Sequence, residues 1–440
     1  MTFNAESLQA TLASLADGQP PTRYLVAFSG GLDSSVLLHA LAQLSEVPLL
    51  ALHVDHRLHE DSCRWAEHCR DFAQQLAVEY QQFVVEIDRD SGDSLEAAAR
   101  DARYRVLGEQ LQPGDSLLSA HHQDDQAETL MLNLLRGSGA AGLAGIGSVQ
   151  PLGPGLLVRP LLEVSREELQ AYAARHQLRW LEDPSNLDTQ FDRNFLRREV
   201  MPLLQGRWPA TTAQLAHSAV LAGEAAGMLE QLADADLVVL GSPDRLEVAG
   251  LLALGDARAR NVLRRAIQRL RLPSAPKRRL RQISQELLSA KADAEPMVCW
   301  PGAEVRRYRE WLYILPAALA SNSDRPAHLS VAYPAADLGD LGTLRLVTGN
   351  SPGIRRDLLE AGLELRFRRG GEALRPLGRG QTHKLKKLLQ EAGVVPWMRG
   401  RIPLLFVGEQ LVAVADIWLD DGCVEDLGYT VEWLGRPPLS

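Results

Sequence analysis

The chain has 440 residues, of which 45% are hydrophobic and 23% charged, and its formal net charge is −9 at pH 7. This length predicts two to three domains, and the negative charge argues against nonspecific polyanion binding by the whole surface while leaving room for local basic patches. The four cysteines form no CxxC pair, so we expect neither a disulfide framework nor a thiolate zinc site.

The first residues lack the basic and apolar segments of a signal peptide, and no apolar run is long enough to cross a bilayer. We therefore expect a cytoplasmic protein with no membrane partner.

Apolar strands alternate with helices through the first 135 residues. The strands are predicted at residues 24–28, 49–54, 83–87 and 117–120. This alternation predicts an α/β domain with a doubly wound parallel sheet. Ligands of such sheets bind at the carboxyl ends of the strands. Ser29, His53 and His121 all lie at predicted strand ends, which predicts one shared site.

A glycine turn joins the first strand to its helix, in the segment Ser29-Gly30-Gly31-Leu32-Asp33-Ser34. Gly30 and Gly31 allow positive φ and a close backbone approach. The first N–H groups of the helix, its dipole and the two serine hydroxyls predict an anion site. Asp33 would repel a phosphate unless a cation such as Mg²⁺ lay between them. The alternative is an ordinary strand–turn–helix joint.

A second polar cluster follows the fourth strand, from His121 to Thr129. On a helix, Asp125 and Glu128 share one face, and His121 faces Asp125 one turn away. Two carboxylates beside a nucleotide suit Mg²⁺ or the uptake of a proton, whereas zinc would require further ligands. The alternative is a polar first turn, which the helix dipole favours by itself.

Three arginines of the first half are candidates for phosphate or RNA contacts: Arg100, Arg136 and Arg193. A guanidinium offers two parallel donors to a phosphate. Arg100 lies on a predicted helix with Glu96, Arg103 and Tyr104, where the alternative is a salt-bridged, solvent-exposed face. His53 and Val54 are nucleotide-binding candidates, in part through their backbone, or else a polar strand end.

Helices are predicted from residue 211 to 288, followed by a linker at 317–340 and a small domain with strands at 404–407 and 411–414. The run from Arg258 to Arg281 contains almost no acidic residues, which favours a polyanion partner over a solvated face. Arg264 and Arg265 lie in it. A second basic cluster includes Arg368, Lys386 and Lys387, and Trp397 follows it, as is typical of RNA-binding surfaces.

Together these motifs resemble the tRNA(Ile)-lysidine synthetases, a family of the PP-loop ATP pyrophosphatase superfamily. The resemblance spans nearly the whole chain. It rests on Ser29–Ser34, His53–His56, Glu96–Arg100 with Arg103–Tyr104, His121–Thr129, Leu135–Gly139, Arg159–Leu162, Arg193–Asn194, Phe367–Glu372 and Val395–Trp397.

The resemblance implies a three-domain chain. We expect a PP-loop catalytic domain at 1–210 (adenine nucleotide alpha hydrolase-like), a helical tRNA-binding domain at 211–320 and a small α+β tRNA-binding domain at 330–440. It also implies a ligase that adenylates C2 of the wobble cytidine of tRNA(Ile) with a CAU anticodon and then attaches free L-lysine. This change switches decoding from AUG to AUA.

The site roles that the resemblance implies can be stated residue by residue. ATP would contact Ser29, Gly30, Gly31, Leu32, Asp33, Ser34, His53 and Val54. Asp33 would serve Mg²⁺ and pyrophosphate, Asp125 or Glu128 would serve metal or lysine, and Arg100 is a further catalytic candidate. The tRNA-binding candidates are Arg136, Arg193, Arg264, Arg265, Arg368, Lys386 and Lys387. A homodimer is one expectation for the oligomeric state. The alternative function is another PP-loop tRNA-modifying enzyme, such as a tRNA thiolase.

Overall fold

The computed structural model describes residues 3–16, 18–44, 46–57, 61–85, 95–184, 188–290, 296–317, 327–330, 332–349, 351–437 and 439, without the side chains of 95–97 and 327–328. Two compact units are present, Met1–Leu229 and Glu230–Ser440. The division into three domains at 1–210, 211–320 and 330–440 stays a prediction. The Glu96 side chain, named with Arg100 above, lies outside the described residues.

The first unit is built on a six-stranded sheet. Its strands are β1 (Arg23–Ala27), β2 (Leu49–Asp55), β3 (Glu79–Val84), β4 (Asp115–Leu118), β5 (Val149–Leu152) and β6 (Gly155–Val158). Its helices are α1 (Ala5–Leu15), α2 (Leu32–Leu44), α3 (Ser62–Gln75), α4 (Leu95–Glu109), α5 (Gln123–Leu135), α6 (Ala140–Leu143), α7 (Arg166–Arg175), α8 (Asp192–Phe195) and α9 (Met201–Arg207), with a π-helical turn at Leu196–Val200 before α9. The long helix α10 (Thr211–Leu240) contains the boundary between the units.

The strand order of this sheet is β3-β2-β1-β4-β6-β5. β1 pairs in parallel with both β2 and β4, and β5 pairs antiparallel with β6 at the edge. The chain runs outward from β1 to β3 and then returns to place β4 on the other side of β1. The crevice beyond the carboxyl ends of β1 and β4 is therefore the topological switch point, where ligands of doubly wound sheets bind. The predicted fold class is confirmed.

Successive residues of the central strands supply two different apolar cores. Leu25 of β1 and Leu117 of β4 pack on the side covered by α4, whereas Val26 and Leu118 pack on the side of α1, α2, α3 and α7. Side chains alternate across a strand, and a parallel sheet is covered on both faces, so both sets are apolar. The result is a rigid sheet whose carboxyl edge positions the loops that follow β1 and β4.

Two strand predictions differ from the structure. The third strand is β3 at Glu79–Val84, several residues before the predicted 83–87, of which 86 and 87 lie outside the described residues. The β5–β6 hairpin was not predicted, because Val149–Val158 contains a turn around Gly153 and Pro154 within a short apolar stretch.

The second unit combines helices with antiparallel sheets. Its helices are α11 (Val248–Ala253), α12 (Asp256–Arg269), α13 (Lys277–Gln282), α14 (Arg356–Ala361) and α15 (Leu385–Glu391), with a π-helical turn at Ile283–Leu287 and 3₁₀ turns at Gly339–Leu341, Pro396–Met398 and Asp421–Cys423. Its strands are β7 (Gly241–Ser242), β8 (Arg245–Glu247), β9 (Met297–Trp300), β10 (Ala303–Tyr308), β11 (Trp311–Pro316), β12 (Ala327–Leu329), β13 (Ala335–Asp337), β14 (Thr343–Thr348), β15 (Gly353–Ile354), β16 (Leu363–Phe367), β17 (Ala373–Leu374), β18 (His383–Lys384), β19 (Pro403–Val407), β20 (Gln410–Val414), β21 (Trp418–Leu419), β22 (Val424–Glu425) and β23 (Tyr429–Leu434).

The region predicted as helical carries a sheet of its own, with the order β7-β8-β11-β10-β9. Val298, Val305 and Ile314 of this sheet share a core with the helices α11, α12 and α13. Part of the predicted linker is also strand, because β12 and β13 join the two C-terminal sheets. The predicted C-terminal strands are confirmed as β19 and β20. No helix among the described residues has both the length and the apolar character needed to cross a membrane.

Candidate active site

The turn after β1 has a backbone conformation that requires glycine at position 30. Gly30 has φ +79°, in the left-handed region, and a Cβ atom on it would lie 2.7 Å from the Cys69 sulfur. Gly31 has no positive φ, so the sharp turn depends on Gly30. Besides α3, the Leu181 segment packs against this turn, and the Leu181 N–H donates to the Gly30 carbonyl at 2.9 Å.

The serine hydroxyls of the loop gather at the N-terminus of α2. The Oγ atoms of Ser29 and Ser34 are 3.1 Å apart, and Ser34 Oγ donates to the Gly31 carbonyl at 3.1 Å. The N-terminus of a helix carries free N–H groups and the positive end of the dipole. The loop is thus suited to an anion of phosphate type.

Asp33 lies between this loop and the segment after β4. Its Oδ2 is 3.6 Å from His122 Nε2. Its Oδ1 is buried and has no hydrogen-bond partner among the described residues. The part of the chain that the structure describes contains no group of three or more His, Cys, Asp or Glu side chains that could hold a metal. The unpartnered Oδ1 of Asp33 fits one oxygen ligand of a cation that takes further oxygens from a bound phosphate or water, as Mg²⁺ commonly does.

His122 is buried at the centre of three carboxylates. Asp125 Oδ2 lies 3.5 Å from its Nε2, and Asp124 Oδ2 lies 3.5 Å from its Nδ1, in addition to Asp33. Burial alone would lower the pKa of His122, but the three carboxylates outweigh it and raise the pKa to about 10. The three carboxylates thus favour the imidazolium form of His122, and its Nδ1 also lies 3.2 Å from the Asp124 backbone N–H.

The prediction placed His121 on the helix, one turn before Asp125. The helix begins at Gln123, so His121 precedes it and its Nδ1 lies 2.7 Å from Ser119 Oγ. Burial lowers the pKa of His121 to about 3. It is His122 that contacts Asp125, and no periodicity argument distinguishes two adjacent histidines at a helix start.

Asp125 and Glu128 are both held by two arginines. Arg193 donates from Nε to Glu128 Oε2 and from Nη2 to Asp125 Oδ1, each at 2.8 Å. Arg197 donates from Nε to Glu128 Oε1 at 2.6 Å and from Nη2 to Asp125 Oδ1 at 3.1 Å. Burial would raise the pKa of Asp125, but His122 and Arg193 lower it to about 2.

Family models and curated relatives show which family the chain resembles. A model of the PP-loop domain matches residues 4–204, a model of the TilS substrate binding domain matches 246–313, and a model of the TilS substrate C-terminal domain matches 363–433. The chain is 39% identical to the tRNA(Ile)-lysidine synthase of Coxiella burnetii, covering 98% of this chain and 96% of that protein. It is 45% identical to that of Alkalilimnicola ehrlichii, over 94% and 93%, and 41% identical to that of Methylococcus capsulatus, over 98% and 100%.

The chain belongs to the tRNA(Ile)-lysidine synthase family. The predicted family is confirmed, and with it an ATP-using ligase that acts on tRNA.

Other predicted residues of the family's ATP site lie at the same sheet edge. His53 is buried near the end of β2, and its Nδ1 is 2.9 Å from the Phe28 carbonyl, which fixes the end of β2 to that of β1. Val54 follows it on β2 and packs with the core beneath α4. Arg100 is exposed on α4, with its guanidinium 5.3 Å from the centre of the Tyr104 ring.

The predicted tRNA contacts fall in three places. Arg193 lies inside the site, whereas Arg136 is exposed at the end of α5, 3.7 Å from Asp192. In the second unit, Arg368 lies 3.6 Å from Glu372, and Lys386 and Lys387 are exposed on α15.

The basic run of α12 has acidic partners that its own sequence does not contain. Arg265 pairs with Asp234 at 2.7 Å and Glu230 at 2.8 Å, and Arg258 pairs with Asp236 at 2.7 Å. The expectation that this run lacks such partners is wrong, because α10 supplies them. Arg264, by contrast, is exposed next to Arg265.

Sequence reasoning did not single out three residues that build the site. The sequence marks His122 only as one member of its motif, and no motif marks Arg197. Gln126 was likewise passed over, although it holds the loop that follows α5. The one available signal was the four-residue spacing of Arg193 and Arg197, which places both on one helical face.

Proposed function

We propose that this chain uses ATP to join L-lysine to C2 of the wobble cytidine of a CAU-anticodon tRNA(Ile). The observation that carries the proposal is the meeting of Asp33 and His122 at the switch point, beside the buried carboxylate of Asp125. The contact between Asp33 and His122 places the proposed phosphate loop and the proposed cation-binding carboxylate at one edge of the sheet. In a chain of this family, that arrangement suits the binding of ATP.

The first step suits the loop after β1. The C2 oxygen of cytidine attacks the α-phosphate of ATP, the bond between the α-phosphorus and the bridging oxygen breaks, and pyrophosphate leaves. The N–H groups at the start of α2 and the hydroxyls of Ser29 and Ser34 would hold that leaving group. We infer that Mg²⁺ binds at Asp33, where it would neutralise charge on the phosphates.

The second step needs a place for lysine. The ε-amine attacks C2, the C2–O bond breaks, AMP leaves and the amine loses a proton. The ε-ammonium group has a pKa of ~10 in water, so it arrives charged. The pKa of Asp125 is lowered to about 2, so its carboxylate is better suited to binding the ammonium than to removing its proton. Asp125 and Glu128 both already accept hydrogen bonds on each of their oxygens, so the ammonium would be attracted by the charge of either carboxylate.

A sulfur-transfer reaction is not favoured by the thiol nearest the loop. Cys69 is buried behind Gly30, and burial raises its pKa to about 12, so its thiolate form is suppressed.

The four cysteines are all free thiols, which supports a location in the reducing cytoplasm. A homodimer stays a prediction.

The test is to incubate the protein with ATP, labelled lysine and CAU-anticodon tRNA(Ile), and to measure label in RNA and release of pyrophosphate. We expect incorporation into tRNA(Ile) and none into the methionine tRNA that shares the anticodon. Asp33→Ala and Asp125→Ala should abolish pyrophosphate release, because the first removes the cation ligand and the second removes the charge opposite His122, while tRNA binding survives.

Asp101→Ala is the matched control, because this carboxylate is exposed on α4. It should keep the wild-type rate. Incorporation of label by Asp33→Ala would remove Asp33 from the proposed role, and a wild-type protein that leaves lysine free would overturn the proposed reaction.

A further inference from the structure

The buried side chain of Glu128 is anchored by Arg197 more strongly than by any other described group. Only 2% of its side chain is exposed. Arg197 donates to Glu128 Oε1 at 2.6 Å and to Oε2 at 2.9 Å, whereas Arg193 reaches Oε2 alone. A two-point contact of this kind fixes the plane of the carboxylate as well as its position.

The same two guanidinium groups meet on one oxygen of Asp125. Oδ1 accepts from Arg193 at 2.8 Å and from Arg197 at 3.1 Å. The other oxygen, Oδ2, accepts from the His122 backbone N–H at 3.0 Å. Asp125 is therefore held from three directions, and the direction of its carboxylate depends on where Arg197 lies.

Arg197 is presented by an unusual piece of backbone. It lies in the π-helical turn Leu196–Val200, four residues after Arg193 of α8. A wider turn changes the angle between residues four apart, and such turns are common at functional sites. Here the turn brings both guanidinium groups onto the same pair of carboxylates.

We propose that Arg197 is a positioning residue for the ligase reaction: through its contacts with Glu128 and Asp125, it fixes both carboxylates and Arg193 in the geometry that receives lysine. This inference rests on the proposed function and adds a residue to it. Arg197 itself need not touch ATP, lysine or tRNA. The substitution Arg197→Lys would keep the charge but lose the planar, two-pronged contact.

The test is a double-mutant cycle on lysine incorporation with Arg197→Gln, Glu128→Gln and the double variant. A small misplacement of a binding group costs on the order of 100-fold in rate. We expect Arg197→Gln to lower kcat/KM for lysine by about this factor while the KM for ATP and the Kd for tRNA stay at the wild-type values. The loss in the double variant should be clearly smaller than the product of the two single losses, because the Arg197–Glu128 contact is shared, although Arg197→Gln also removes the direct bond to Asp125.

Two further variants separate positioning from simple folding or charge effects. Arg198→Gln, an exposed arginine in the same turn, should retain wild-type kinetics. Arg197→Lys should keep the wild-type thermal unfolding midpoint and still lose most of the activity. This variant tests the inference even if Arg197→Gln does not fold.

Three results would overturn the inference: losses in the double variant that multiply, a raised Kd for tRNA in Arg197→Gln, or full activity in Arg197→Lys. Each of them leaves the proposed function intact if the wild-type enzyme labels tRNA. A wild-type enzyme that does not label tRNA removes the proposed function and this inference with it.

Discussion

Gly30 is the residue at which the backbone and its surroundings both exclude a side chain. Its φ of +79° is unfavourable for other residues, and the Cys69 sulfur stands 2.7 Å from where a Cβ would lie. The loop that we propose as the phosphate site is thus packed against α3.

We therefore expect Gly30→Ala to destabilise the protein. The left-handed conformation costs roughly 1–2 kcal/mol for a non-glycine residue, and the displacement of Cys69 adds to it. Gly31→Ala is the comparison, because Gly31 has no positive φ and its Cβ would have its nearest neighbour at 3.6 Å. Urea denaturation of both variants measures the difference in free energy of unfolding. Equal values would contradict the packing described for this turn.

The pKa of His122 likewise depends on a few individual side chains. Each of its carboxylate neighbours is an ordinary side chain in the sequence, yet together they raise the pKa of the buried imidazole. The predicted motif contained all of these residues except Asp33, which lies 89 positions earlier in the chain. The pairing of Asp33 with His122 depends on the adjacency of β1 and β4.

At the scale of the element, α5 serves two purposes from two faces. Asp125 and Glu128 face the arginines, while Gln126 and Asn133 hold the glycine-rich loop that follows. Asn133 Nδ2 donates to the Gly142 carbonyl at 2.7 Å, and Gln126 bonds to both Ala144 and Ile146. The helix therefore connects the carboxylates of the site to the loop at 137–147.

We expect Gln126→Ala to loosen that loop without unfolding the domain. Gln126 Oε1 accepts from the Ile146 N–H at 2.6 Å, and its Nε2 donates to two carbonyls, so the change leaves these groups unpaired. Leaving a buried polar group without its partner costs about 1–3 kcal/mol. Hydrogen exchange should show faster exchange of the Ile146 amide.

Gln74→Ala, at an exposed position of α3, is the control and should change nothing at residue 146. Unaltered protection of Ile146 in Gln126→Ala would show that the loop is held by other contacts.

At the scale of the whole molecule, a net charge of −9 must be reconciled with a tRNA substrate. Much of the positive charge on α12 is neutralised by α10 within the second unit. A tRNA-binding surface on α12 therefore depends on arginines that are not in these ion pairs with α10. Arg264 is one such arginine on the described part of α12.

Arg264→Ala should weaken tRNA binding and reduce the slope of log Kd against log salt by about 1, because one phosphate contact is lost. Arg345→Ala is the matched control, since this half-exposed arginine is already paired with Glu432 at 2.6 Å. The measurement is a salt titration of tRNA affinity by fluorescence anisotropy. An unchanged slope in Arg264→Ala would move the tRNA surface away from this helix.

The sequence by itself determined the features that are local. The anion loop of Ser29–Ser34, the alternation of strands and helices, and the motif from His121 to Thr129 each lie within a few consecutive residues, where spacing alone carries the information. They were sufficient for the fold class and the family.

The tertiary structure decided everything that depends on strand order and on which helices pack together. It selected His122 over the predicted His121 as the partner of Asp125, and it brought Arg197 onto Glu128 across 69 positions of the chain. It also placed acidic residues of α10 against the arginines of α12. The physical reason is the same in each case: the charge and direction of a side chain are set by neighbours that are close in space but distant in sequence.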